Sequence, residues 1–296
     1  MIKFFINIYV YFRPFIKNLN RDNVFAIAGQ SAFFIILSAV PLAMFAISIF
    51  QNLHIPEESL KQVFSMVFNE QATKEFSTYL SNMYKDATGI SVITLIGTLW
   101  SASKGVHCIT NGLNRVYNTY ENRKWLFLRL RAMLYTVLVF LIVFVSMLVV
   151  MLSSVVNDWI KESGTNLPAV VSLLFHLRYV IIFFYIVFMF ALMYRNFPNL
   201  TKETRREYSF VCQLPGALFT AVSWFLLTIG ISIYVTDFHG FSLYGGLLRL
   251  TVIMVWLYFC MGCFMIGAEI NYYYHSSIKA FYRILSGRRH AKKRKK

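Results

Sequence analysis

The first long apolar block of the chain is an uncharged run from Val24 to Phe50, entered from a stretch of aromatic and basic residues that ends at Asp22. Its 27 residues make roughly 40 Å of helix against a hydrocarbon core of about 30 Å, so a helix here must tilt or bend. Pro41 removes one backbone hydrogen bond and is the expected kink point. Gly29, Gln30 and Ser31 allow close helix approach or line a path. Residues 51–88 follow a different pattern. Leu60, Phe64 and Val67 repeat at helical spacing, as do Phe76, Leu80 and Met83, with a helix start at Pro56-Glu57-Glu58, which predicts two short amphipathic helices over one mouth of a bundle. Further apolar blocks run from about Gly89 through Trp100, then over 128–153, 169–193, 209–234 and 246–272. The fold class is therefore an all-α membrane protein with six transmembrane helices. Its parts are an interfacial segment over 1–23, a transmembrane domain over 24–275 and a tail over 276–296.

The second span departs from the apolar pattern. From Trp100 to Arg115 it carries Lys104, His107, Asn111, Asn114 and Arg115, which share one face at helical spacing. Charged groups at membrane depth cost about 2.5–3.5 kcal/mol on insertion scales, so a polar stripe there is a candidate site. The plainer alternative is that Lys104 snorkels along its own stem toward water. Glu269, with Asn271 two residues on, is the only carboxylate inside a predicted span. By depth it meets Lys104 or Arg115, in an ion pair that closes or lines a cavity, or in a salt bridge that only packs helices. Arg178 and Arg249 lie near the opposite ends of spans four and six. They pair with Asp158, Glu162 or Asp237, or attract an anionic group. More cationic than anionic candidates in the interior favour a negatively charged or zwitterionic substrate.

Composition agrees with the pattern. Hydrophobic residues make up 57% of the 296 and charged residues 14%, with a mean hydropathy of +0.56, which excludes an ordinary soluble domain. A net charge of +16 would suggest nucleic acid in a soluble protein, but here the basic residues sort by side. Segments on the side of the N-terminus hold 23 Lys and Arg against 4 on the other side, which places both termini in the cytoplasm. Residues 1–21 offer no small-residue cleavage site and are expected to lie in the membrane plane. Seven Lys and Arg after Ser286 suit an anionic leaflet, worth on the order of 1 kcal/mol each. The plainer alternative is a topology anchor that is otherwise disordered; contact between this tail and RNA is a further one and is not expected.

The four cysteines fall in or beside apolar segments and predict no disulfide framework, and Cys260-Met261-Gly262-Cys263 sits mid-span as small core residues. Soluble-enzyme motifs are missing and the six histidines are scattered, so neither a cofactor nor a metal is expected.

Motifs in order along the chain carry a resemblance. They are Ser31-Ala32-Phe33-Phe34 with Pro41, Trp100 to Gly105, Leu113 to Tyr117, Glu121 to Arg123, Tyr194-Arg195 with Pro198-Asn199, and Pro215-Gly216-Ala217 with Trp224. Tyr234, Tyr244-Gly245, Trp256-Leu257-Tyr258 and Gly267 to Asn271 complete the series. From about Asp22 to Asn271 the chain resembles the YihY/virulence factor BrkB family of bacterial inner-membrane proteins. Within these motifs and beside them, Asp22, Pro41, Arg195, Pro198, Pro215, Gly216 and Gly245 are expected to be structural. Two positions depart from the family pattern: Phe33-Phe34 stands where a tyrosine pair is common, and Lys104 where an arginine is, which keeps the charge but not the bidentate geometry.

The resemblance implies a transporter or envelope factor, and some members carry an older ribonuclease BN label. A nuclease is argued against by the absence of a clustered His/Asp set and by soluble segments too short for a catalytic domain. The expected function is movement of a lipid, a lipid-linked molecule or a small polar solute through a cavity lined by spans one, two and six. The protein is expected to be no enzyme, to have membrane lipids as partners, and to be free to form homo-oligomers. The alternative is a scaffold that assembles an envelope complex without transport.

Overall fold

The computed structural model describes residues 13–52, 92–141, 169–237 and 241–275, with scattered positions between 56 and 82. All regular structure among the described residues is helical. Residues 13–21 form α1, followed by α2 (Val24–Asn52), α3 (Val92–Val116) and α4, whose described part is 125–141. Then come α5 (Ala169–Asn196), the short α6 (Lys202–Glu207), α7 (Phe210–Asp237) and α8 (Phe241–Tyr273). Expectations for residues 1–12, most of 51–88, the far half of the third span and the tail fall outside the described residues.

Among the described residues three helices are long and apolar enough to cross a membrane: Val24–Gln51, Phe210–Tyr234 and Leu250–Tyr273. Ile182–Asn196 is a shorter apolar helix. The polar α3 is not among them. Leu37, Val40, Phe225, Leu226 and Ile233 are each more than half exposed. Burying a side chain of this size away from water is worth about 1.5–3 kcal/mol, so helices that turn these residues outward are built to meet lipid. The chain is a membrane protein.

The chain forms two compact units. One comprises the described residues up to Phe33, Cys108–Asn122 and those from Phe183 onward. The other comprises those of Phe34–His107 and Arg123–Ile182.

In the first unit, α7 crosses α8 where two glycines face each other. A Cβ on Gly216 would lie 2.0 Å from the Gly267 carbonyl oxygen, and one on Gly267 would lie 2.3 Å from Thr220 Oγ1. Only two backbones without side chains can approach this closely. Polar groups secure the crossing. Tyr194, from α5, donates its hydroxyl to the Phe264 carbonyl at 2.7 Å and shares a 2.7 Å hydrogen bond with Thr220, and Trp224 Nε1 donates to the Cys260 carbonyl at 2.7 Å. Pro215 interrupts the helical ladder of α7, and the neighbouring Gly216 N–H is taken up by Asn271 Oδ1 at 2.8 Å. Gly112 of α3 presses against Ile27 of α2 and Met265 of α8. All four cysteines are free thiols.

In the second unit, α2 continues through Pro41 without losing its helical assignment, and Gly105 of α3 sits against the backbone of Ile35. Arg129 stacks its guanidinium 5.0 Å from the Trp100 ring and donates to the Trp100 carbonyl at 2.7 Å. Trp125 meets the same ring edge-on at 5.5 Å. This couples the base of α4 to α3 through a desolvated cation–π contact.

Candidate functional site

The site is assembled in the first unit from two helix ends. At the first, Asn23 adopts φ 52 between α1 and α2, a left-handed conformation that asparagine tolerates better than most residues. The turn leaves Asp22 buried and Arg21 largely exposed, and the arginine grips the carboxylate as a fork, with Nε to Oδ1 and Nη2 to Oδ2 both 2.9 Å.

The second end is that of α3. The Thr119 N–H donates to the Asn114 carbonyl at 2.8 Å and the Asn118 N–H to the Arg115 carbonyl at 3.1 Å, with Asn118 at φ 49. This is a Schellman motif with asparagine in its left-handed position. The Asn114 side chain then staples the loop that follows. Its Nδ2 donates to Glu121 Oε2 at 2.9 Å, and its Oδ1 accepts from the Asn199 N–H at 2.6 Å and from Thr119 Oγ1 at 3.2 Å. Asn199 also donates from Nδ2 to the Tyr120 carbonyl at 2.9 Å.

Between these ends lies an open cavity of about 450 Å³ lined by Arg21, Asp22, Asn23, Asn111, Asn114, Arg115, Asn118 and the turn through Glu121. Two guanidiniums, two carboxylates and several carboxamides face it, with no large apolar side chain other than Tyr120. Such a lining can hold a polar or zwitterionic group by paired charge and amide hydrogen bonds.

Burial opposes the charge on Asp22. The Arg21 fork, reinforced by the neighbouring Glu269 carboxyl and the field of Arg115, outweighs that burial and holds the Asp22 carboxyl below the usual carboxylate range. A carboxyl lowered in the folded state stabilises the fold above its unfolded value, near pH ~3.9. That contribution is lost as the pH falls through the lower native value. Thermal unfolding of the detergent-solubilised protein is therefore expected to show an acid-side loss below about pH 4 that Asp22→Asn flattens. Identical acid profiles for the two proteins would contradict the Asp22 geometry.

Glu269 of α8 is fully buried, and among the described residues no donor group gives either of its carboxyl oxygens a hydrogen bond. Its polar neighbour is the Asp22 carboxyl. An aromatic cluster follows the end of α3: Tyr117 packs edge-on against Tyr208 at 5.3 Å and Tyr272 at 6.1 Å, and burial pushes the Tyr208 hydroxyl up to about 12. Tyr117 donates to Gln213 Oε1 at 2.6 Å.

Of the residues expected to form the site, Asn111, Asn114 and Arg115 line the cavity. Lys104 and His107 belong to the second unit, where Lys104 is exposed with its Nζ 5.7 Å from the Phe34 ring centroid. Gln30 is exposed on α2. The side chains of Arg178 and Arg249, and the surroundings of Gly245, fall outside the described residues. Asn271, grouped with the pathway residues from the sequence, commits its carboxamide to the backbone of α7: Oδ1 accepts from Gly216, and Nδ2 donates to the Gln213 carbonyl at 3.1 Å. Asp22, expected only to be structural, stands at the centre. Arg195 is half-buried, while Pro198 is buried in the segment that brings Asn199 to Asn114. Sequence reasoning passed over Gln213, although a glutamine inside the apolar run from Phe210 was a signal. Among the described residues no group of three or more His, Cys, Asp or Glu gathers around one point.

A family model described as Virulence factor BrkB matches residues 15–292. The chain is 23% identical over 258 residues to a Bacillus subtilis (strain 168) protein named ribonuclease-like protein YfkH, covering 85% of this chain and 90% of that one. It is 24% identical over 276 residues to a UPF0761 membrane protein of Alteromonas mediterranea, covering 88% and 86%. A UPF0761 membrane protein of Aeromonas salmonicida is 24% identical over 264 residues, covering 86% and 84%. No solved structure matches.

Proposed function

The chain belongs to the Virulence factor BrkB family, and from that premise we propose that it moves a lipid headgroup, a lipid-linked molecule or a small polar solute across a bacterial cytoplasmic membrane. The observation that carries this is the polar cavity of about 450 Å³ between the start of the apolar α2 and the end of the polar α3, together with a fully buried carboxyl. Buried ionisable groups in membrane helices are costly and are kept where a polar species must pass or bind. The mixed charges of Arg21, Asp22, Arg115 and Glu121 favour a zwitterionic or polyhydroxylated group over a simple cation.

The rest of the proposal follows the sequence. Six spans with both termini in the cytoplasm put the cavity on the cytoplasmic side, where the basic tail meets anionic lipid. We read the protein as a non-enzyme; the name of YfkH brings no catalytic residue to this chain.

The test is reconstitution in liposomes with labelled phospholipid in one arm and small osmolytes in the other. Wild type is expected to move one class. Glu269→Gln, whose amide cannot release or take up a proton, is expected to slow that movement by about tenfold, or about 1.4 kcal/mol of barrier. Wild-type protein inactive in both arms would favour a scaffold that assembles an envelope complex.

A further inference from the structure

We propose that the Asp22–Glu269 pair is a proton-binding site, holding one proton on Glu269 in a hydrogen bond to Asp22.

Two ionised carboxylates have no proton between them and cannot hydrogen-bond each other. Yet Glu269 is 0% exposed, receives no hydrogen bond from a donor group among the described residues, and has the Asp22 carboxyl as its neighbour. A buried carboxyl in that position must be met by a cation or carry a proton.

The charges nearby settle which. Arg21 forks onto both oxygens of Asp22, so its positive charge is matched there and the proton belongs on the other carboxyl. Arg115 from α3 adds to the field on Asp22, and Tyr272 on α8 acts on Arg21. These, with Arg21 and Asp22 from the end of α1, are the charged and titratable groups acting on the pair among the described residues. A metal cation between the carboxyls would need about six oxygen ligands and would face Arg21 at once. A proton needs only the two oxygens.

The balance is simple. With the proton bound, Glu269 is neutral and Asp22 is matched by Arg21. When the proton leaves, it passes from Glu269 toward the water of the cavity that Asp22 borders. The pair then carries two negative charges against Arg21 and the field of Arg115. A site that changes charge beside a cavity can couple proton movement to the passage of a polar solute, and that coupling rests on the transport reading above.

Infrared spectroscopy of the full-length protein at neutral pH tests the site without transport. Wild type is expected to show a protonated-carboxyl C=O band that shifts when glutamate is labelled with ¹³C and is lost in Glu269→Gln. Labelling identifies the band in unmutated protein, so a variant that folds poorly does not blunt the test. A spectrum without a glutamate acid band, or a band erased when choline is exchanged for Na⁺, would overturn the proposal. Protein that shows the band but moves no solute in liposomes fails the transport reading alone. Protein that moves solute and lacks the band fails only the proton site.

Discussion

Gly216→Ala is expected to destabilise the protein by about 3 kcal/mol, at the upper end of ordinary overpacking costs. The new methyl would stand 2.0 Å from the Gly267 carbonyl oxygen and 2.6 Å from Asn271 Nδ2, and the first of these is backbone, which cannot swing aside. Relief would require α7 and α8 to separate, breaking the Tyr194, Thr220 and Asn271 hydrogen bonds together. Gly230→Ala on the same helix provides the contrast, because a Cβ there meets nothing within 4 Å. It should be neutral, or stabilising by up to about 1 kcal/mol through helix propensity. Thermal or detergent-induced unfolding of the two purified variants measures the difference. Equal stability would mean that the two helices do not touch where the glycines meet.

The second large effect is expected for Asn271→Leu. Its carboxamide serves two buried backbone groups, the Gly216 N–H beside Pro215 and the Gln213 carbonyl, and leucine serves neither. Each buried group left unsatisfied costs about 1–3 kcal/mol, so a loss of roughly 3 kcal/mol is expected in the same unfolding assay. The proline is part of the cause, since it breaks the ladder that would otherwise run past this point. In a Pro215→Ala background the Asn271→Leu penalty should shrink. A penalty unchanged by the proline would show that Asn271 acts on some other group. Because Gly216 and Asn271 touch, their effects should not add.

Much of the helical framework could be read from residue spacing. The uncharged run from Val24 to Phe50 became α2, and the runs beginning near Ser209 and Gly246 became α7 and α8, because a long apolar block in a membrane chain has one inexpensive backbone solution. The cavity was half legible. Asn111, Asn114 and Arg115 follow from helical periodicity on one face, but their counterpart did not follow from any pairing rule. Sequence logic sets Glu269 against a lysine or arginine; the fold sets it against Asp22, and the arginine enters as a neighbour of Asp22 instead. Two buried carboxyls can meet when one of them carries a proton, and protons leave no mark in a sequence. Asn271, a pathway candidate by its place in the sequence, binds the backbone of α7 for a related reason. A polar residue in a span signals function by its cost, but the same cost is offset when a proline on the next helix leaves backbone groups in need of a partner.

The crossing of α7 and α8 bears on how the molecule can move. Two helices in backbone contact through Gly216 and Gly267, with Tyr194 and Asn271 bonded across the seam, have no layer of side chains that could slide or repack. Sliding by even a fraction of a turn would drive a carbonyl into a neighbouring chain. The pair behaves as an axle, and Glu269, two residues beyond Gly267, is fixed to it. An opening of the cavity is therefore expected to move Arg21 and Asp22, or the end of α3, relative to this carboxyl.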